Sequence, residues 1–502
     1  MASFSKRAGK GSENSYQPED TNKQEKPFIR DDSDNKLFKT FQVSNLQDII
    51  TDDCVAYYDA DTLYHQAATN QQVKFITVKH IVGGWEEELA GVKVFRGLGK
   101  GIKKDSWLGM KNLEREVEGL EPYTLEDFEI TDGQRLKGDH DYCMEQAKMQ
   151  VYKKLKRLRN QFNLPKVVTV IGSGDNFRHS LPLCRLYKGE RKKTLTPILL
   201  KELRQWGIDE LGAIDTPESE LHGNIECDDY VDMQGYLGAL HYDKTGKYNK
   251  MCILSDKDGN NAPKLTVNPD TYNKGHPLEG RFKLPQAYRV PNTKESAGDI
   301  EIVHKAKSAD YKFIGFKGLL WQILTFDGAD CYNALGHLNG GMGYGADSAF
   351  KLLKPIKCPR EALQAVVDKF VELLPYGVQY TDCHGVEQDV DTLTYINFYF
   401  RTAYMLRSMN DTMDLFKLCK AMNIDTSKAE ANNKLTPPIR TFVGEESSIL
   451  DIQSVIESII SDDLRGLKSL KKADAAVVID RIKDKLEGID FEPQYAMIQE
   501  EK

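Results

Sequence analysis

Glu226-Cys-Asp-Asp229 and, further on, Met251-Cys-Ile-Leu-Ser-Asp-Lys-Asp258 bound the stretch whose reading decides the fold. The run Met251–Leu254 is short, apolar and bounded by turn residues, so it reads as a buried strand. Carboxylates at the end of such a strand are costly unless something positive neutralises them. No equal cluster of Lys or Arg lies nearby in sequence, which makes a bound divalent cation the economical explanation. Taken alone, the two pieces read more simply as a solvated helix start and a turn. Two further acidic strand ends reverse that balance.

The first is Cys54-Val-Ala-Tyr-Tyr58, a strand delivering Asp59-Ala60-Asp61 ahead of a helix over 62–68; a lone Asp there would be an ordinary N-cap. The second is Val167-Val-Thr-Val-Ile171, β-branched and unbroken as parallel strands are. It runs into Gly172-Ser-Gly-Asp175-Asn-Phe-Arg178. A basic stretch follows, Arg185 and Tyr187-Lys188-Gly-Glu-Arg191-Lys-Lys193, of the kind that holds a backbone phosphate beside metal ions. A helical segment, 197–206, leads back to Glu226.

The remaining chain is read around this frame. At 502 residues, with 40% hydrophobic and 29% charged residues, two or three structural units are expected. The net charge of -8 argues against whole-surface attraction to nucleic acid but not against a local basic groove. Nine cysteines without a CxxC pair point to neither a disulfide framework nor a zinc site and suit free thiols in a reducing cytoplasm. No run of 18 apolar residues and no signal-peptide core occurs, so no membrane role is expected.

Residues 1–45 read as a disordered polar tail. The segment 71–97 reads as a strand pair, with Val92–Phe95 as one strand. The turn 97–104 lacks phosphate-loop spacing. The helix 142–162 is basic on one face through Lys148, Lys153, Lys154, Lys156, Arg157 and Arg159, by default a solvated face. Residues 259–310 read as turns and loops. Tyr311–Phe326 becomes helical and runs into Asp327-Gly-Ala-Asp330. Gly343-Tyr-Gly345 opens another helix, whose free N–H groups suit a phosphate. Asp256–Val267 fails as an EF-hand, with Asn261 and Val267 where Gly and Glu are needed. From Arg360 the chain reads as helical, over 361–374, 393–409, 449–460 and 473–486.

The order of these motifs resembles the flap endonuclease and 5′–3′ exonuclease superfamily, in particular its bacteriophage exonuclease branch, over about residues 50 to 360. The resemblance implies an α/β fold, a central mostly parallel sheet flanked by helices (a PIN-like nuclease core, 46–310, with insertions). A helix–hairpin–helix-type duplex-binding unit (311–420) and a C-terminal helical extension (421–502) would follow. It implies Asp59, Asp175, Glu226, Asp228, Asp229, Asp256, Asp258, Asp327 and Asp330 as ligands of two Mg2+ ions, with Mn2+ able to substitute. Asp175 fits loosely, since the turn in some relatives is built around Asn-Phe-Arg. Lys188 and Arg191 would hold the scissile phosphate as catalytic cations. Arg178, Tyr187, Gly343 and Gly345 would bind substrate, with K+ a candidate at the helix–hairpin–helix unit. Phe326 and Cys331 depart from the usual Gly and Asn.

The chemistry agrees without the family. Two Mg2+ ions about 4 Å apart can supply a nucleophilic hydroxide and relieve charge on the attacked phosphate. Carboxylates without His at ligand spacing suit Mg2+ or Mn2+ over Zn2+. The expected function is thus a 5′–3′ exonuclease on duplex DNA, RNA primers or 5′ flaps in phage replication or recombination. Replication proteins are candidate partners of the C-terminal helices. The competing expectations are a non-catalytic DNA-binding protein on the same scaffold and a metal-stabilised structural protein.

Overall fold

The computed structural model describes residues 38–172, 176–190, 195–255, 258–267, 287–304, 309–338 and 344–435. The first part of the chain gives β1 (Gln42–Val43), β2 (Ile50–Asp59), α1 (Asp61–Thr69), β3 (Gln72–His80), β4 (Glu86–Leu89), α2 (Val92–Arg96), α3 (Trp107–Val117) and β5 (Phe128–Leu136). Then come α4 (His140–Gln161), β6 (Lys166–Ile171), α5 (Leu200–Leu211), β7 (Ile214–Asp215), α6 (Cys227–Thr245), β8 (Tyr248–Ile253), β9 (Lys264–Val267) and β10 (Ala287–Val290). The last part is β11 (Asp299–His304), β12 (Ala309–Ile314), α7 (Phe316–Leu324), α8 (Ala346–Leu353), α9 (Pro359–Leu373), β13 (Val378–Thr381), β14 (Glu387–Val390), α10 (Thr392–Ala403) and α11 (Leu415–Ala421).

The fold is mixed α/β, with a central sheet ordered β1-β10-β9-β8-β2-β6-β7. The pairs β2–β6, β2–β8, β6–β7 and β8–β9 are parallel, while β10 joins β9 and β1 antiparallel at one edge. Parallel neighbours require crossover connections, which the helices supply. Alternation along the strands serves both faces. Ala56, Tyr58, Met251 and Ile253 pack in the core with α1, α4 and α5; Tyr57, Val170 and Cys252 pack with Cys227 and Val231 of α6.

From β2 the chain builds outward to β6 and β7 on one side, then returns to lay β8 on the other. The register sets Asp59 beside Val170 and Tyr58 beside Ile253, so three strands end together where the strand order reverses. Open α/β sheets bind ligands in the crevice outside such a switch point.

A second core gathers α7 to α11 with the segment around Leu181–Tyr187. Every residue of α7 is buried, Lys317 and Gln322 included. The segment between β2 and β6 carries a separate antiparallel sheet, β4-β3-β5, closed by α2 and α3 over Ile76, Val78, Phe95, Leu108 and Phe128.

Several local expectations change. Val92–Phe95 is helical, because Phe95 turns into the small core while Val92 and Val94 stay exposed. Residues 264–267, 287–290 and 299–304, expected as loops, are strands. All four residues of β9 are buried, a central-strand pattern that the surrounding Pro, Asn and Gly obscured. Between α9 and α10 stands a hairpin, β13–β14, in the interval between the expected helices 361–374 and 393–409; its turn uses Gly385 at φ +80°. The helix expected over 393–409 ends at Ala403. Within the expected disordered tail, Lys39–Phe41 forms a 3-10 turn and β1 pairs with β10. The expected helices 449–460 and 473–486 lie outside the described residues. No described helix is long and apolar enough to cross a membrane.

Candidate metal centre

Three side chains close the end of β2. Asp59 accepts from the Asp61 N–H at 3.3 Å and from the Cys227 thiol at 3.2 Å, which also reaches the Val170 carbonyl at 3.2 Å. Asp61 accepts from the Gly172 N–H at 3.1 Å and from Arg204 Nη2 at 2.6 Å. Burial pushes the Asp61 carboxyl up to about 6, with Arg204 opposing and Asp59 adding to the rise. Burial, then the charges of Asp59 and Asp61, holds the Cys227 thiol well above its ordinary range, so it stays protonated.

Beside them α6 begins. Glu226 is its N-cap, in a reciprocal capping box with Asp229. Its Oε1 accepts from Asn176 Nδ2 at 2.9 Å and from Lys188 Nζ; its Oε2 accepts from the Tyr187 hydroxyl at 3.0 Å. Asp228 accepts from the Asp229 N–H at 2.9 Å. Burial, then the neighbouring charges of Glu226 and Asp229, raises its carboxyl well above the usual range.

The Tyr187 hydroxyl also meets Asp330 Oδ2 at 2.7 Å, Lys188 Nζ lies 4.0 Å from Asp330 Oδ1, and the Lys188 N–H donates to the Asp330 carbonyl at 2.8 Å. Burial pulls the Lys188 ammonium down, but Glu226, Asp330 and Asp228 outweigh it and hold it above the ordinary lysine value. Lys188 is left-handed, at φ +56°. Sequence elements far apart thus deliver Asp59, Tyr187, Lys188, Glu226, Asp228 and Asp330 to one neighbourhood.

Other expected residues have structural partners. Arg178, expected at the substrate, is 1% exposed and directs its guanidinium inward, to Asp229 at 2.6 and 2.9 Å and to the carbonyls of Thr402 and Tyr404. Asp229, expected as a ligand, is fully buried and engages Arg178 with both oxygens, because a guanidinium fork matches a carboxylate. Asp327, also expected as a ligand, is 2% exposed, and its Oδ1 caps its own turn, accepting from the Ala329 and Asp330 N–H groups. Gly345 is the N-cap of α8, with open space around it. Asp258 opens a 3-10 turn. Asp175, Arg191, Asp256, Gly343 and the Asp258 side chain lie outside the described residues.

Asp61, Cys227, Asn176 and Arg204 were missed as site residues. Asp61, Cys227 and Asn176 sit inside motifs already quoted; Arg204 lies on α5 with no local signal.

Two sets, Asp59–Asp61–Cys227 and Glu226–Asp228–Asp229, each bring candidate ligand atoms within 4.8 Å of one another and could hold a metal ion. The donor chemistry fits a hard divalent cation. Carboxylate oxygens dominate and the one thiol is kept neutral. No family model, no curated protein and no solved structure matches the chain.

Proposed function

We propose that this chain is a metal-dependent 5′–3′ exonuclease acting on duplex DNA, RNA primers or 5′ flaps. Its sheet would be a PIN-like nuclease core and the segment from Tyr311 a helix–hairpin–helix-type duplex grip taking K+. The observation that carries the reading is the convergence of Asp59, Glu226, Asp228 and Asp330 with Tyr187 and Lys188 at the sheet's switch point.

Asp59, Asp228, Glu226 and Asp330 would hold Mg2+ or Mn2+, with Asp175, Asp256 and Asp258 as further candidates from the sequence. The ions would supply a hydroxide nucleophile and relief of phosphate charge. Tyr187 clamps Glu226 against Asp330, fixing both carboxylates. Lys188, which lies between Glu226 and Asp330, would supply the cation for a non-bridging phosphate oxygen, with Arg191 as a second candidate. In the net reaction a water oxygen bonds to phosphorus, the bond to the departing oxygen breaks, and the water's protons pass to that oxygen and to solvent. Replication or recombination of phage DNA in a host cytoplasm is the setting this chemistry suits, with replication proteins as partners.

Duplexes labelled at the 5′ or 3′ end, incubated in Mg2+, test the reading. Labelled 5′ mononucleotides or short 5′ fragments released only with metal support it, and undiminished hydrolysis in EDTA overturns it. A second reading, non-catalytic DNA binding on the same scaffold, draws on the Lys188–Glu226 ion pair, which already neutralises one ligand. Metal-independent binding with no cleavage favours that alternative.

A further inference from the structure

A groove of about 890 Å3 lies between the carboxyl-terminal half of α4 and the amino-terminal ends of β2 and β6, lined by Lys156, Arg159, Lys166, Tyr152, Asn160 and Asp52 among others. In the register, Lys166 pairs with Val55 and Val170 with Asp59. The groove therefore opens at the opposite end of the strands, about 13 Å of strand from the acidic cluster.

Its charge is unbalanced. Lys156, Arg159 and Lys166, with Lys153 beside them, are all exposed, and none forms an ion pair among the described residues. Asp52 is the one carboxylate in the lining among the described residues. Elsewhere on the same helix the pattern differs, since Lys148 pairs with Glu145. Unpaired cations concentrated along one concavity, in a chain of net charge -8, repel one another unless an anion joins them.

Lys153, Lys156 and Arg159 recur every third residue along α4, and Lys166 lines the same groove from β6. That spacing suits a ligand whose negative charges repeat, and disfavours a single buried phosphate. The exposed ring of Tyr152 (51% exposed) and the Asn160 amide add a stacking surface and a hydrogen-bonding group, as in grooves that follow nucleic-acid strands.

We propose that this groove binds the sugar–phosphate backbone of nucleic acid, at a site separate from the acidic cluster. The proposal goes beyond the nuclease reading and does not depend on cleavage.

The test is binding of fluorescein-labelled DNA, single-stranded and duplex in separate arms, measured by anisotropy in EDTA at several salt concentrations. Lys156→Glu with Lys166→Glu should weaken binding about tenfold or more and flatten the log–log salt slope by about two. The Gln double variant should do the same more mildly, which covers any misfolding caused by charge reversal. The arm that loses more identifies the strand form. Wild-type affinity and slope in both arms overturn the proposal, as does binding to phosphatidylserine vesicles that is lost while DNA binding is unchanged. Cleavage of short duplexes should persist in the double variant, so failure here and failure of the nuclease reading are told apart.

Discussion

Arg178 and Asp229 form a fork-to-fork ion pair, Nη1 to Oδ2 at 2.6 Å and Nη2 to Oδ1 at 2.9 Å, with both side chains removed from solvent. Asp229 also accepts from the Leu406 N–H at 3.1 Å and the Glu226 N–H at 3.3 Å. The pair therefore ties the turn after β6, the start of α6 and the chain beyond α10 beneath the acidic cluster.

Breaking one half of that pair leaves a buried, uncompensated charge. Arg178→Met should destabilise the fold by about 3–5 kcal/mol, read by urea denaturation. Arg178→Met combined with Asp229→Leu should recover much of that loss. A stable Arg178→Met protein that had lost only DNA affinity would return Arg178 to the substrate.

Metal should stabilise the native state through the cluster. The wild-type protein should melt several degrees higher in Mn2+ than in EDTA, by ligand linkage. Asp59→Asn and Asp228→Asn should abolish that rise and cut phosphodiester hydrolysis by about 100-fold or more. In EDTA, Asp228→Asn should melt no lower than wild type, since it removes a crowded charge. A wild-type metal response in both variants would rule out these ligands.

Lys188 separates charge from backbone shape. A left-handed conformation costs a non-glycine residue about 1 kcal/mol. Lys188→Gly should therefore be more stable than Lys188→Ala by about that amount, while both lose turnover far more than affinity for DNA. Equal turnover of both variants and wild type would remove the lysine from the chemistry.

Asp232 should give the stability curve a pH signature. Asp232 and Lys264 form a fully buried ion pair, and Asp232 Oδ2 has no hydrogen-bond partner among the described residues. Burial pushes the carboxyl up to about 6, with Lys264 opposing. A folded value above the unfolded one near 3.8 means that this contribution is fully present below pH about 3.8 and is lost as the pH rises through about 6. The difference amounts to about 3 kcal/mol. Denaturation at stepped pH should show a shallower change across that window for Asp232→Asn than for wild type, and identical slopes would refute it.

The strands β2, β6 and β8 could be read from the chain because each is an unbroken apolar or β-branched run stopped by turn residues, and Asp59 at the end of β2 came with them. By contrast, β9 is a four-residue run, Lys264–Val267, whose lysine looks like a surface residue until Asp232 is seen beside it. Glu226 and Asp228 were legible as carboxylates at a helix start. That Asp229, next to them, faces Arg178 was not, because its helical position turns it inward and its other partner, Leu406, lies far along the chain. Local pattern reports which element a residue joins; it does not report which neighbours arrive from elsewhere.

The dependence of Arg178 on the carbonyls of Thr402 and Tyr404 has a bearing on biosynthesis. A ribosome delivers the acidic residues first, and the carbonyls that anchor Arg178 beneath them come later. Until residue 406 has cleared the exit tunnel, a nascent chain holds Asp228 and Glu226 without their floor. The contacts that hold Arg178 and Asp229 under the cluster are therefore complete only once residue 406 has been made.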